Sequence, residues 1–134
     1  MRINRLLLGP IVLGSLSPLV AAEPSPSRVD FNRDIRPILS NACFDCHGPD
    51  KEQRKGDLRL DRKEAVFKDR GGYAIVVPGK VAESELYVRL IEPDEKQRMP
   101  PPEALRKIEP AQIELIKRWI EQGADWRGHW AYEP

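Results

Sequence analysis

Cysteine, histidine and methionine are all scarce in this chain of 134 residues, which contains two of each. The two cysteines, at positions 43 and 46, are too close together to form a disulfide framework between distant segments. Neither charge sign is in excess, since 22 Lys and Arg stand against 21 Asp and Glu. We therefore expect no nucleic-acid partner, because such proteins carry a clear basic excess. Aromatic residues make up only 7% of the chain, and a core this small usually needs an additional organising element.

A long hydrophobic run is also missing. The longest apolar stretch, Leu6 to Val20, is interrupted by two prolines and is shorter than the ~20 residues that span a bilayer. It follows a short basic start and precedes the small residues Val20-Ala21-Ala22, which is the three-part pattern of a secretory signal. We predict cleavage before Glu23 rather than retention as an anchor, and hence export to the periplasm or cell envelope without a membrane span. The predicted organisation is a signal peptide over residues 1–22, a linker over 23–28 and one domain over 29–134.

Two segments carry apolar residues at helical spacing, one from Phe31 to Ala42 and one from Ile113 to Ile120. Asp30 can cap the first helix, whereas Pro37 predicts a kink or a later start and pushes Arg36 out of the α region. We expect the two helices to cross and pack through their apolar faces. The residues predicted to meet are Ile35, Ile38 and Leu39 on one side and Ile116, Trp119 and Ile120 on the other.

Shorter helices are predicted between these two. Asp61 can cap a helix that ends near Phe67, and Ser84 can cap a helix over residues 85–91. Proline and glycine separate these segments, and the last helix opens near Pro110, in the favoured first turn. No internal repeat and no long parallel-strand pattern is present. The sequence therefore predicts an all-α domain with long irregular loops.

The motif that carries chemistry is Cys43-x-x-Cys46-His47, the pattern of c-type haem attachment. Two thiols three positions apart on a bent turn can each add across one vinyl group of the porphyrin. The next residue then presents an imidazole to the iron from the same side. Export to the envelope supports this interpretation, because covalent haem attachment takes place there in bacteria. The motif predicts one covalent haem c.

Three other uses of these residues compete with haem attachment. A thioredoxin-like redox pair follows a strand and opens a helix, whereas here the pair ends a predicted helix. A zinc site needs four ligands, which would consume Cys43, Cys46, His47 and His129 together. An inert Cys-His turn is the remaining alternative.

The sixth position of the iron has one thioether candidate, because Met1 is lost with the signal peptide and only Met99 remains. Met99 lies far enough beyond His47 for the chain to return to the opposite face of the porphyrin. Pro100 restricts its backbone to an extended conformation. The alternatives are a lone methionine in a solvent-exposed loop and ligation by His129 instead.

Five motifs occur in an order that resembles the planctomycete-type cytochrome c domain. They are F-x-R-D-I-R-P-I-L-S-x-x-C-x-x-C-H-G-P, G-D-L-R-L-D, V-P-G-K with S-E-L, R-M-P-P, and W-I-E-Q-G-A-D-W, and they cover the chain from about Val29 onward. The resemblance implies a cytochrome c-like helical fold with long haem-wrapping loops, haem c bound through Cys43 and Cys46, and iron ligands His47 and Met99. Such domains usually precede larger domains, and residues 127–134 resemble the junction into one.

The function expected from these observations is single-electron transfer by an exported module that is not itself an enzyme. Its partners would be electron donor and acceptor proteins or a fused enzyme domain, so the module can also serve as the redox domain of a larger oxidoreductase. Two alternatives stay open at this stage. One is a haem with an open sixth site that acts as a peroxidase or gas sensor, and the other is a haem-free interaction module.

Four leucines are expected to wall the haem: Leu58, Leu60, Leu86 and Leu90.

Overall fold

A computed structural model describes residues 27–127, and every regular element in that range is helical. The elements are a π turn Phe31–Ile35, α1 Arg36–Ala42, α2 Phe44–His47, α3 Lys63–Phe67, a 3₁₀ turn Val81–Glu83, α4 Glu85–Ile91 and α5 Pro110–Glu121. Between residues 27 and 127 the only β feature is an isolated parallel bridge from Ala74 to Ser84. The all-α class is therefore confirmed. No helix in the same range is long and apolar enough to cross a lipid bilayer.

The first helix accommodates its proline through the π turn. The Asp30 carboxylate caps it by accepting from the backbone N–H of Arg33 at 2.9 Å, as predicted. At the end of the turn Arg36 bonds back to the carbonyl five residues earlier and stays in the α region, with φ −54° and ψ −41°. The expectation that Pro37 forces Arg36 out of the α region is thus wrong. The wider turn shifts the bonding register where Pro37 lacks an N–H, so the helix continues.

The last helix has defined signals at both ends. Glu109 and Gln112 form a capping box, in which the Glu109 N–H donates to the Gln112 side chain at 2.9 Å. Pro110 occupies the first turn, where its missing N–H costs nothing. Gly123 follows the helix with φ +98°, the left-handed conformation that commonly ends helices. The predicted start and stop of this helix are confirmed.

The core forms where the π turn meets α5. The apolar side chains predicted to pack there all belong to one buried cluster, and Trp119 is only 1% exposed. The Trp119 Nε1–H donates to the Asp125 carbonyl at 3.0 Å, which satisfies its one polar group. Phe31 stacks on Trp126 with ring centroids 3.8 Å apart. The predicted packing of the first helical segment against the last helix is confirmed, and the contact with α5 is made through the π turn.

The short helix α3 is present, but its predicted cap is wrong. No side chain caps α3, and the residue at its N-cap position is Arg62. Asp61 instead accepts two hydrogen bonds from the guanidinium of Arg59. A fork of two guanidinium donors offers a carboxylate more than one exposed backbone N–H does, which explains why the local capping rule fails here.

The predicted helix α4 begins after Ser84, yet the Ser84 hydroxyl does not cap it. The side chain is fully buried and turns toward the preceding loop, where it accepts from the Val77 N–H at 2.9 Å and donates to the Lys80 carbonyl at 2.8 Å. The Ser84 side chain therefore links the preceding loop to the start of α4 and does not cap the backbone N–H groups of the helix.

The first helix places the cysteine motif away from the aromatic core. Phe31 lies in the core against Trp119, with ring centroids 5.6 Å apart, while Cys43 ends α1. Phe31 and Cys43 are twelve positions apart, which corresponds to roughly 18 Å along a helix at 1.5 Å per residue. The aromatic residues lie at the start of this helical segment, and the motif follows its end, where Cys43 packs against the same buried cluster.

Candidate haem attachment site

The cysteine motif occupies a helical turn that follows a break in the first helix. Cys43 closes α1 by donating its N–H to the Leu39 carbonyl at 2.9 Å, but its own φ of −122° departs from the helix. α2 then begins, and the N–H groups of Cys46 and His47 both donate to the Cys43 carbonyl, at 3.2 and 2.8 Å. The structure therefore brings three of the predicted site residues together on one turn.

Gly48 ends this turn at a place where no side chain fits. A Cβ added to Gly48 would lie 2.2 Å from the Phe44 carbonyl oxygen and 2.9 Å from the Phe44 Cβ. Because the nearest atom belongs to the backbone of α2, the turn cannot yield by a simple rotamer change. Glycine at this position thus lets the chain leave the motif in close contact with it.

Both cysteines are free thiols. Cys43 packs against the hydrophobic core, and this burial raises the pKa of its thiol to about 12, with the neighbouring Cys46 adding to the shift. Cys43 is therefore held in the neutral thiol form at neutral pH. Two unpaired thiols three positions apart on one bent turn are the groups that two thioether bonds to a porphyrin require.

His47 is oriented by a hydrogen bond to the backbone. Its Nδ1 lies 3.1 Å from the Lys55 carbonyl oxygen. Since a carbonyl only accepts, Nδ1 carries the proton, and the lone pair of Nε2 stays free for a metal. Burial lowers the pKa of His47, although its bond to Lys55 opposes the shift. A neutral imidazole whose second nitrogen is held by a carbonyl is the form in which histidine ligates iron. The donor set on this turn fits a haem c.

The loop after the motif folds back onto it, which sequence reasoning missed. The Lys55 N–H donates to the Cys46 carbonyl at 2.7 Å, and the Leu60 N–H donates to the His47 carbonyl at 2.8 Å. The side chain of Arg54 donates to the carbonyls of Gly48 and Pro49, at 3.0 and 2.9 Å. These bonds involve mostly backbone atoms, and a polar run of residues gives no periodic signal from which to predict them.

Met99 lies on a different segment, in the loop between α4 and α5. Its N–H donates to the Arg89 carbonyl at 2.9 Å, and the Arg89 side chain donates to the Gln97 carbonyl at 3.2 Å. The Met99 side chain is 40% exposed and is not part of the buried core. Its thioether is therefore not consumed by protein packing. The competing candidate, His129, lies outside the described residues.

Two alternative uses of the cysteine motif can be compared with this arrangement. Among residues 27–127, no group of three or more His, Cys, Asp or Glu side chains converges in a way that could hold a metal ion by itself. The cysteine pair follows α1 and not a strand, unlike a thioredoxin-like pair.

Comparison with known proteins agrees with the geometry. The family model described as Planctomycete cytochrome C matches residues 43–103, and this segment begins at Cys43 and includes Cys46, His47 and Met99. The resemblance inferred from the motifs is thereby confirmed for that part of the chain. No curated protein and no solved structure matches the chain.

Proposed function

Since residues 43–103 carry the planctomycete-type cytochrome c domain, we propose that this protein binds one covalent haem c and transfers single electrons. When bound, the haem supplies a one-electron ferric–ferrous iron couple. Cys43 and Cys46 hold the group, and His47 and Met99 ligate the iron. The observation that carries the proposal is the turn on which two free thiols lie beside an imidazole whose Nδ1–H is bound to Lys55.

The loop after the motif and the helix α4 contribute the walls of the site. Leu58 and Leu86 are partly exposed apolar side chains packed against the core, while Leu60 and Leu90 lie within it. Partly exposed leucines beside a buried cluster can take a large flat apolar group at little conformational cost. We propose that the segments after the motif and around Met99 cover the two faces of the haem.

Occupation of the sixth position by Met99 favours electron transfer over catalysis, because no ligand site remains for a small substrate. The protein then acts as a module and not as an enzyme, with electron donor and acceptor proteins or a fused enzyme domain as partners. The predicted signal peptide over residues 1–22 directs it to the periplasm or cell envelope. The mature chain is expected to begin at Glu23, which mass spectrometry of the secreted protein will test.

The decisive experiment is expression of the full chain with the c-type maturation machinery. The parent should retain haem staining after denaturing electrophoresis and should keep its colour after acid–acetone extraction. The matched control, Cys43→Ala with Cys46→Ala, should lose both signals completely. A folded, colourless parent protein would contradict the proposal and favour the haem-free interaction module. A coloured parent that binds carbon monoxide readily would instead favour the open sixth site of a peroxidase or sensor.

A further inference from the structure

The side chain of Arg54 is more buried than the rest of its loop. The loop from residue 49 to residue 57 is otherwise exposed and charged, yet the Arg54 side chain is only 13% exposed. Its Nε and Nη2 atoms donate to two consecutive carbonyls, those of Gly48 and Pro49, at 3.0 and 2.9 Å. Asp57 lies 3.8 Å away but is 99% exposed, so this ion pair contributes little. The principal partners of Arg54 are the two carbonyls that directly follow His47.

The next residue along the chain is the one that orients the histidine. The Lys55 N–H donates to the Cys46 carbonyl at 2.7 Å, and the Lys55 carbonyl accepts from the His47 Nδ1–H at 3.1 Å. The Arg54 side chain thus binds the start of the loop, and the backbone of the next residue, Lys55, bonds to both Cys46 and His47. Together these hydrogen bonds hold the loop up to residue 55 against the motif.

We propose that Arg54 is a positioning residue that sets the strength of the hydrogen bond from His47 Nδ1–H to Lys55, and through it the reduction potential of the haem. The inference rests on the proposed function. A carbonyl held firmly against Nδ1–H makes the imidazole a better electron donor, since partners of this kind raise the basicity of a ligating histidine. A more basic ligand stabilises ferric iron and lowers the potential.

The sign of the effect separates this role from a simple electrostatic one. Removing a positive charge near the iron stabilises the ferric state and lowers the potential. Loosening the carbonyl that holds His47 weakens the ligand and raises the potential. Replacement of Arg54 by a neutral residue therefore gives opposite shifts under the two explanations.

The experiment measures the potentials of four holoproteins by spectroelectrochemical titration. They are the parent, Arg54→Gln, Arg54→Lys and the control Arg62→Gln, which removes the same charge from an exposed side chain eight positions further along the chain. In Arg54→Gln the ferric-to-ferrous ratio at a fixed electrode potential should fall about tenfold, at the lower end of effects typical of such outer partners. Arg54→Lys keeps the charge and can donate to both carbonyls, so it should recover part of the shift. Arg62→Gln should leave the ratio unchanged or raise it slightly.

A second readout follows the hydrogen bond itself. In proton NMR spectra of the ferrous proteins, the Nδ1–H signal of His47 should exchange with solvent faster in Arg54→Gln than in the parent and in Arg62→Gln. If Arg54→Gln fails to mature, Arg54→Lys carries the test, with a smaller rise in potential and a smaller increase in exchange. Unchanged or lowered potentials in the Arg54 variants of a haem-containing parent would overturn the inference alone. A parent without covalent haem would overturn the proposed function, and this inference with it.

Discussion

The helical core and the turn that carries the cysteine motif are stabilised in different ways. In the core, Ile35, Ile116, Trp119 and Ile120 are each no more than 1% exposed and belong to one packed cluster. In the turn, the motif residues are only partly buried and are held by hydrogen bonds from the following loop. Apolar packing closes the first region completely. The second is fixed in position by hydrogen bonds, and both of its thiols are unpaired.

The largest expected effect concerns Met99, the partly exposed residue that is proposed to ligate the haem iron. Met99→Ala should abolish the sulfur-to-iron charge-transfer band in the red part of the ferric absorption spectrum, because the thioether is the only candidate of its kind in the mature chain. It should also lower the potential and allow carbon monoxide or cyanide to bind. Folding should be affected little, since the side chain is 40% exposed.

His129→Ala is the matched control for the sixth ligand, and it should change neither the absorption band nor the potential. If Met99→Ala keeps the parent spectrum, Met99 is not a ligand. Bis-histidine coordination or an open sixth site then becomes the better description, and the two are separated by whether the parent itself binds carbon monoxide.

The next largest effect tests the packing of the helical core. Trp119→Ala should reduce the free energy of unfolding by about 3–5 kcal/mol, the usual range when a large buried aromatic side chain is removed. Its side chain is 1% exposed and donates to the Asp125 carbonyl. The measurement is denaturant unfolding followed by circular dichroism, and the haem absorption spectrum of the folded variant should stay that of the parent.

Tyr73→Ala is the control for the loss of an aromatic side chain. Tyr73 is 49% exposed, so its removal should change the free energy of unfolding by less than about 0.5 kcal/mol. Equal effects of the two substitutions would mean that Trp119 does not contribute to a packed core, and the contrast between the two regions would fail.

A smaller effect is expected at Gly48, which ends the turn that carries the cysteine motif. Gly48→Ala places a Cβ 2.2 Å from the Phe44 carbonyl oxygen, so α2 must shift. We expect a loss of about 1–3 kcal/mol, as for other overpacked sites, together with a lower yield of haem-loaded protein. The control Gly56→Ala adds a Cβ in open space at φ +65°. It should cost about 1 kcal/mol through backbone strain alone and leave haem loading unchanged. Equal haem loading in both variants would show that close contact at Gly48 is not needed.

The two regions also differ in how far the sequence predicted them. The first and last helices could be predicted from apolar spacing and end signals, because Asp30, Pro110 and Gly123 act locally. The spacing of Cys43, Cys46 and His47 predicts covalent haem attachment, because two thioether bonds require a fixed spacing, and this chemistry stays a prediction.

What the sequence did not predict depends on competition between partners. Asp61 and Ser84 are good capping residues by type, yet each finds a stronger partner outside its helix. The π turn at Pro37 and the bonds from Lys55 to the motif are backbone arrangements that leave no residue pattern. Local rules therefore work where one interaction dominates and fail where a polar group has several choices.

The smallest predicted effect concerns acid sensitivity on the loop side. The hydrogen bond from Arg59 lowers the pKa of Asp61 below its ordinary value of 3.8, although partial burial opposes the shift. A carboxylate with a lowered pKa contributes stability that is present above the unfolded pKa and is lost as the pH falls through the folded pKa. Asp61→Asn should therefore be less stable than the parent at neutral pH, and the difference should vanish in strong acid. The effect should be small, because the pair is partly exposed.

Asp34→Asn is the matched control on the core side. The pKa of Asp34 is also lowered, mainly by a hydrogen bond from Arg33, so its acid dependence should have the same sign. The two variants should differ in amide exchange. Leu60 lies beside Asp61, and its N–H donates to the His47 carbonyl. The exchange rate of this amide should therefore rise in Asp61→Asn and should stay that of the parent in Asp34→Asn. Faster exchange of Leu60 in both variants would mean that the core and the loop respond as one unit, since separately stabilised regions open separately.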